Sequence, residues 1–421
     1  MVTAIPHELS TLHDICGPYA RPGEPRDRLG GVVPAYVAPV SSLPQLKAVM
    51  RFAAAQHWSV VPRGGGSKLE WSGPVRDCDL VVDMRGMDSI VEHAPDDMIV
   101  RVQAGASLAR LAATLSGANQ NLALDATFAD DPDCVSTVGG AIATGHAGPR
   151  RLRYGTVSDL LLGMTVVRAD GVSAVSGSKV VKNVAGYDLA KLFTGAYGTL
   201  GIVAEATFRL HPLAAATAWV TSDLPDIDAG CEAACAIAGG AWAPSAVEFR
   251  YDGDRFELCT MLEGTPVGVA ARADRVARVG GGNCDSSAPA WFGAWPGDTG
   301  ALVVRVSCPP SRLADVLRAV GTVGDDTEAR TVATGAAAIG SFLLAVSSGT
   351  QRGHDLFLAG LRRALEPLGA RAVVVRVPEG VVLEQPRWGA IQPAVLRLMR
   401  RVKDQFDPGH RLSPGRFVGG I

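Results

Sequence analysis

The sequence contains no block of like charges and no long run of strongly apolar residues. Its 40 Lys and Arg residues nearly balance its 42 Asp and Glu residues, so the formal net charge is -2. Because nucleic-acid-binding surfaces are strongly basic, we expect no nucleic acid as a partner. The longest uncharged stretches, such as Val332 to Ser348, are interrupted by Thr, Ser and Gly. We therefore predict that no segment spans a membrane.

The eight cysteines form no C-x-x-C pair, which argues against an iron–sulfur cluster, a structural zinc site or any other bound metal. Cys231 and Cys235 lie one helical turn apart and are expected to be two buried thiols rather than metal ligands. The first thirty residues lack a basic segment followed by an apolar core, so we expect no signal peptide. Reduced cysteines and no export signal predict a cytoplasmic protein, attached to the inner membrane only through a partner.

The common nucleotide-binding signatures are also missing. No G-x-G-x-x-G follows a predicted strand, and no Gly-Lys-Ser or Gly-Lys-Thr triplet occurs. Two other glycine-rich runs are present, Pro62–Lys68 and Val138–Gly148, and Arg153-Tyr154-Gly155 follows the second run. Glycine weakens helices and strands but allows positive φ and close backbone approach, so we predict loops that contact a dinucleotide. Tight surface turns are an equal alternative on glycine content alone.

The length of 421 residues predicts two domains, because one core of this size is uncommon. Ser42-Leu43-Pro44-Gln45 is a capping box, and it predicts a helix that buries Leu46, Val49, Met50 and Ala53. Strands are predicted at Ser59–Val61, just before the first glycine-rich run, and at Leu80–Asp83 and Ile99–Gln103. A hairpin is predicted around Asp170-Gly171. Beyond Leu213, alternating strands and amphipathic helices predict an α+β module with an antiparallel sheet.

Four segments resemble, in order and spacing, the FAD-binding domain of the PCMH-type (vanillyl-alcohol-oxidase-like) flavoproteins. The Asp407-Pro408-Gly409 and Pro414-Gly415-Arg416 ending also resembles the C-terminus of that family. Within the family, the likeness is greatest to the FAD-binding subunits of bacterial glycolate oxidases. The four segments are Pro62–Lys68; Val138–Gly148 with Arg153-Tyr154-Gly155; Lys182-Asn183 with Gly186–Leu189; and Gly198–Val203 with Leu210-His211-Pro212.

The resemblance implies an α+β fold with a two-lobed PCMH-type FAD-binding domain and an α+β cap domain that contains an antiparallel sheet. We expect an irregular N-terminal segment over residues 1–31 and the FAD-binding domain over residues 32–213. The cap would cover residues 214–380. The C-terminal segment, residues 381–421, would return to the FAD-binding domain.

The resemblance also implies the cofactor and its contacts. FAD would be bound non-covalently, because the first glycine-rich loop has no His or Cys to attach it. Backbone N–H groups of Arg63 to Lys68 would wrap the pyrophosphate, the second loop would line the flavin, and Ile202 and Val203 would contact the adenine or the ring. The predicted cofactor-binding residues are Pro62, Arg63, Gly64, Gly65, Gly66, Ser67, Lys68, Ser136, Thr137, Gly139, Gly140, Ala143, Thr144, Gly145, Gly148, Gly198, Gly201, Ile202 and Val203.

Catalytic residues are harder to predict, because the sequence departs from relatives that oxidise 2-hydroxy acids on their own. Those relatives carry Gly-Asp-Gly-Asn…His and Glu-His-Gly motifs that supply metal ligands and a base, and neither motif is present here. Candidates for the base are His146 and Tyr187, followed by Lys182 and His354. Arg387, beside Trp388, is a candidate carboxylate clamp. Cys134 and His146 are weaker candidates for a flavin tether. For each of these residues a structural role is the more common one.

Three functions remain open at this point. In the first, the chain is the FAD-binding subunit of a glycolate-oxidase-like complex that acts on a small 2-hydroxy acid. Its partners would be a larger flavoprotein and an iron–sulfur subunit. In the second, the chain is an autonomous FAD-dependent oxidoreductase of an alcohol or hydroxy acid. In the third, it is a scaffold subunit that has lost flavin.

Overall fold

The computed structural model describes residues 6–125, 135–178, 187–298 and 300–421. Contacts between residues group the chain into two compact units. The first unit comprises residues 1–146, 156–212 and 391–421. The second comprises residues 147–155 and 213–390. None of the helices in the described ranges is long and apolar enough to cross a membrane.

A small, mostly parallel sheet begins the first unit. Its helix Leu43–Ala55 starts at Ser42, whose hydroxyl accepts the Gln45 N–H, and it buries the four apolar residues predicted from the sequence. This helix connects two parallel strands of the sheet, and the second of them leads into the first glycine-rich loop. The strands, in spatial order, are Arg21–Pro22, Tyr36–Pro39, Leu80–Asp83 and Val60–Arg63.

A five-stranded antiparallel sheet forms the second half of this unit. The predicted hairpin is confirmed: two neighbouring strands pair across a turn in which Gly171 has a φ of +76°. The strand order is Ile90–Ala94, Ile99–Gln103, Ile202–Arg209, Leu161–Val167 and Ser173–Gly177, and a separate ribbon pairs Gln120–Asn121 with His211–Pro212.

Two expectations about the first unit are wrong. The N-terminal segment is not irregular throughout, because it contains the helix His7–Cys16. The second glycine-rich run is not only a loop, since Val138–Thr144 is helical and Thr137 caps it by accepting the Gly140 N–H. The cap and the surrounding packing outweigh the low helix propensity of glycine. The other helices of this unit are Leu43–Ala55, Leu108–Ser116, Val157–Leu160, Leu189–Phe193 and Pro393–Phe406, with 3₁₀ turns at Pro25–Asp27, Met84–Gly86 and Val418–Gly420.

The second unit is built on an eight-stranded antiparallel sheet, which confirms the predicted type of this module. Two of its strands were not predicted. Asn283–Asp285 is short and exposed, and Arg330–Ala336 mixes Thr and Gly with small apolar residues. The strand order is Asn283–Asp285, Ala216–Leu224, Phe256–Gly264, Ala246–Tyr251, Arg330–Ala336, Ser341–Ser347, Leu302–Ser307 and Arg371–Arg376.

Helices pack against the sheet of the second unit around one continuous apolar core. Phe249 is its centre, with Phe256 stacked on it and Phe342 edge-on, both at 5.5 Å between ring centroids. The expectation of two buried thiols is only partly met, because Cys231 is half-buried and Cys235 is exposed. The helices are Arg151–Tyr154, Ile227–Gly239, Pro266–Gly280, Leu313–Asp326 and Gln351–Leu365, with 3₁₀ turns at Pro310–Arg312 and Glu366–Leu368.

Candidate cofactor-binding site

A cavity in the first unit is walled by the predicted glycine-rich loops. Its empty space, open mouth included, is about 780 Å³. Most predicted cofactor-binding residues line it: Pro62, Gly64, Gly65, Gly66, Ser67, Lys68, Thr137, Gly139, Gly140, Ala143, Thr144, Gly198, Gly201, Ile202 and Val203. The sequence reasoning missed Leu69, Met84, Ala104, Val135, Phe193, Tyr197 and Arg416, which also line it.

Close backbone packing explains the glycines of the first loop. A Cβ on Gly65 would lie 1.9 Å from the carbonyl oxygen of Val135, and a Cβ on Gly64 would lie 2.3 Å from Thr137 Oγ1. The first loop therefore packs directly against the segment that leads into the second glycine-rich run. Glycine is needed here for contact between the loops as well as for any approach of a ligand.

A buried lysine belongs to the same wall. Lys68 is only 9% exposed, and its Nζ donates hydrogen bonds to Ser136 Oγ at 2.9 Å and to Ser67 Oγ at 3.3 Å. The ammonium also lies 5.8 Å from the centroid of the Trp71 ring, a cation–π distance. Burial lowers the pKa of Lys68 to about 8. No carboxylate among the described residues forms an ion pair with it.

Arg416 fastens the first loop from the C-terminal segment. Its Nη2 donates to the carbonyl oxygens of Leu69 at 2.8 Å, Trp71 at 3.1 Å and Lys68 at 3.3 Å. Its guanidinium lies 5.9 Å from the ring centroid of Tyr197, another wall residue. The Pro414-Gly415-Arg416 motif was the only sequence signal for this role, and it was assigned no site residue.

Four predicted cofactor-binding residues do not line the cavity. The side chain of Arg63 binds Asp27 at 2.9 Å and Asp83 at 3.5 Å, because these acids lie beside its strand. Ser136 accepts a hydrogen bond from Lys68. Gly145 ends the helix Val138–Thr144 in the left-handed conformation, with φ of +60°. Gly148 belongs to the second unit.

The Arg153-Tyr154-Gly155 motif, which helped to define the resemblance, also belongs to the second unit. Tyr154 donates its hydroxyl hydrogen to Glu263 Oε2 at 3.1 Å, and Arg153 donates to the Glu263 carbonyl at 3.1 Å. Burial, followed by the Glu263 charge, raises the pKa of Tyr154. These contacts hold the motif against the end of the strand Phe256–Gly264.

The catalytic candidates are not brought together at the cavity. The ring of His146 lies edge-on to Trp71 at 5.1 Å, and Tyr187 is 93% exposed. Arg387 is in the second unit, where its carbonyl accepts hydrogen bonds from the Val374 N–H and from Arg362. None of the three lines the cavity.

The remaining candidates also lie elsewhere. His354 is buried in the helix Gln351–Leu365 of the second unit. Lys182 and Cys134 lie outside the described residues. The described residues that line the cavity include neither a carboxylate nor a histidine.

The wall of the cavity fits an anionic nucleotide. The backbone of the lining glycines can approach phosphate oxygens closely, and Lys68 supplies a cation that no described carboxylate pairs with. Apolar residues such as Met84, Phe193 and Ile202 provide the surface that an aromatic ring system requires. The wall therefore suits a nucleotide that carries an aromatic ring system.

Comparison with known proteins agrees with this reading. Residues 34–175 match the protein family described as an FAD binding domain. Glycolate oxidase subunit GlcD of Bacillus subtilis is 30% identical over 207 residues, which is 49% of this chain and 43% of that protein. Glycolate oxidase subunit GlcE of Escherichia coli is 35% identical over 153 residues, which is 36% of this chain and 42% of that protein.

The fold as a whole matches a solved structure. The crystal structure of p-cresol methylhydroxylase with substrate bound superposes with a TM-score of 0.76 at 16% identity, over 97% of this chain and 96% of that one. Such low identity shows the fold alone, and the chain spans only about two-fifths of the two curated relatives. The predicted FAD-binding domain and the predicted α+β fold of the PCMH type are nevertheless confirmed. The chain contains an FAD-binding domain, its fold is of the PCMH type, and its cofactor is FAD.

Proposed function

We propose that the chain is an FAD-dependent oxidoreductase that acts on a small 2-hydroxy acid within a glycolate-oxidase-like complex. The glycine-walled cavity of the FAD-binding domain is the observation that carries the proposal. Two relatives named as glycolate oxidase subunits support the substrate class and the membership of a complex. We place the complex in the cytoplasm, attached to the inner membrane only through a partner.

The residues of the wall have separate tasks in this proposal. Gly64, Gly65, Gly66 and Ser67 would hold the FAD diphosphate through backbone N–H groups, and Arg416 would keep that loop in place. The apolar part of the wall would exclude water from the flavin. When it is bound, FAD supplies an acceptor for a hydride from the carbon that bears the substrate hydroxyl.

The residues that handle the substrate stay predictions. His146 and Tyr187 remain candidates for the base that takes the hydroxyl proton, and Arg387 remains the candidate for the substrate carboxylate. A larger flavoprotein and an iron–sulfur protein remain the expected partners, and the iron–sulfur protein would carry electrons onward.

The decisive experiment is a visible absorbance spectrum of the purified chain before and after acid denaturation. We expect a flavin band that passes into the supernatant, because the FAD is proposed to be bound non-covalently. A colourless protein that also fails to take up added FAD would contradict the proposal and favour the scaffold function. A flavin that stays with the precipitate would contradict non-covalent binding.

A matched pair of glycine variants tests the site. Gly65→Ala places a Cβ against the Val135 carbonyl, so the loop must move, and we expect FAD binding to weaken by about 1 to 3 kcal/mol. Gly31→Ala is the control, because a Cβ there meets nothing within 4 Å. Equal FAD affinity in the two variants would show that the first loop does not bind the cofactor.

Substrate and partner are tested together. Flavin reduction is followed with a panel of 2-hydroxy acids, first with the isolated chain and then with the candidate partner subunits added. We expect reduction only when the partners are present. Reduction by the isolated chain would favour the autonomous oxidoreductase instead.

A further inference from the structure

Among the described residues, no carboxylate compensates for the burial of Lys68. Buried lysines are almost always paired with a carboxylate, because a charge away from water is costly. The polar neighbours of this Nζ are two serine hydroxyls, and Trp71 provides the aromatic face. The described chain therefore leaves a cation in the wall of the cavity with no opposite charge beside it.

The charged groups that the structure describes around this lysine do not supply a counterion. Arg416, which packs on the same loop from the C-terminal segment, carries the same charge. Glu70 follows two residues later and is exposed. Arg63, at the start of the loop, already binds Asp27 and Asp83. Within the part of the chain that the structure describes, no side chain supplies the partner, so an anion that enters the cavity is the candidate.

A purely structural role explains the site less well. The bond from Lys68 to Ser136 joins the first loop to the segment before the second, but a neutral donor could make the same contact. A neutral side chain would avoid the cost of burying a charge. The retained cation suits a ligand that is itself negatively charged, and the diphosphate is the anionic part of FAD.

We propose that the Lys68 ammonium binds the diphosphate of FAD, so that FAD binds to the protonated form of this lysine and its affinity depends on pH. This inference rests on the proposed FAD site and deepens it. The first loop would then hold the diphosphate through one buried side-chain cation as well as through backbone N–H groups.

The direction of the pH dependence follows from the cost of burial. In the free chain the pKa of Lys68 is about 8, and a bound diphosphate would raise it. Below that pH the lysine already carries its proton, so FAD affinity should be constant. Above it, binding requires proton uptake, and affinity should fall by up to about tenfold per pH unit.

The experiment is a titration of the full chain, stripped of flavin, with FAD across about pH 6.5 to 9.5, which spans the lowered pKa. Binding is read from flavin fluorescence, so no turnover is needed. We expect constant affinity at the acid end and a steady loss at the alkaline end. Lys68→Met should bind more weakly at neutral pH and show no such loss. Lys191→Met, at an exposed lysine, is the control and should behave as the wild type.

Lys68→Arg keeps the proposal testable if the methionine variant fails to fold. Because arginine does not lose its proton in this range, its FAD affinity should stay constant to the alkaline limit. Riboflavin, which has no phosphates, should bind the wild type with a constant affinity. If the affinity for riboflavin falls at alkaline pH as the affinity for FAD does, the lysine lies at the flavin ring and the proposal is overturned.

The failure of this inference is distinguishable from the failure of the proposed function. A wild-type chain that binds FAD at neutral pH supports the FAD site whatever Lys68 does. If its affinity is then independent of pH, or if Lys68→Met retains the wild-type profile, the lysine has no role in binding the diphosphate.

Discussion

The cavity wall of the first unit and the aromatic core of the second unit are packed in different ways. Around the cavity of the first unit, main chain packs against main chain, and a Cβ on Gly65 or Gly105 would lie 2.0 Å or less from a carbonyl oxygen. In the second unit, Phe249, Phe256 and Phe342 fill a sheet–helix core with side chains. Atoms added to the first region should therefore lower its stability, and atoms removed from the second should lower its stability. Substitutions and pH changes in the two regions test this contrast.

The largest effect is expected in the core of the second unit. Phe249→Ala removes a fully buried ring that contacts two other aromatic rings. We expect a loss of about 3 to 5 kcal/mol in the free energy of unfolding, because a cavity replaces the ring. Hydrogen exchange read by mass spectrometry should show faster exchange in the strands of the second unit. Equal loss of protection in the first unit would show that the two regions do not differ as described.

The contrast also explains what could be predicted from the sequence. Leu80–Asp83 and Ile99–Gln103 have the predicted bounds, because a short, buried run rich in β-branched residues identifies a strand without further context. Arg330–Ala336 was missed because Gly335 and two threonines interrupt its pattern. Its place in the sheet depends on pairing with Ser341–Ser347, the next strand along the chain, and with Ala246–Tyr251, which lies far earlier in the sequence.

The candidate site shows the same limit. The glycines of the first loop could be identified because their pattern resembles that of a known family. The roles of Lys68 and Arg416 could not, since they depend on contacts across 68 and 347 positions of sequence. The helix Val138–Thr144 was missed because glycine propensity predicts a loop there, whereas the Thr137 cap and the packing of Gly139 on Ala104 favour a helix.

An effect of intermediate size is expected at low pH. The stability of the two units should begin to fall at different pH values. Burial lowers the pKa of His354 in the second unit and outweighs the nearby charge of Asp355. The unfolded chain therefore binds a proton below about pH 6.5 that the folded chain binds less readily. Stability should fall with decreasing pH in that range, by at most about 1.4 kcal/mol per pH unit.

Asp27 gives the first unit a later onset. Burial alone would raise the pKa of this carboxyl, but hydrogen bonds from Arg21 and Arg63 lower it overall. Its contribution is complete above about pH 4 and is lost as pH falls through its lowered pKa. Hydrogen exchange at decreasing pH should therefore show loosening in the second unit first. His354→Leu should remove the loss of stability that begins at about pH 6.5. If the pH dependence is unchanged in that variant, another group causes the loss.

The smallest expected effect is a gain in stability, opposite in sign to the effect of adding a Cβ to a glycine at the cavity. Gly321 lies inside the helix Leu313–Asp326 of the second unit, and a Cβ there would meet no atom within 4 Å. Gly321→Ala should raise the free energy of unfolding by about 0.5 to 1 kcal/mol, because alanine loses less backbone entropy in a helix. Gly324→Ala in the same helix is the matched control, since its Cβ would lie 3.0 Å from the Ala329 carbonyl oxygen. Urea unfolding should therefore give a higher free energy of unfolding for Gly321→Ala than for Gly324→Ala, although the change in helix propensity is the same in both variants. If both variants gain equally, close backbone approach carries no cost at this distance, and the argument from Gly65 would then have to rest on its much shorter contact.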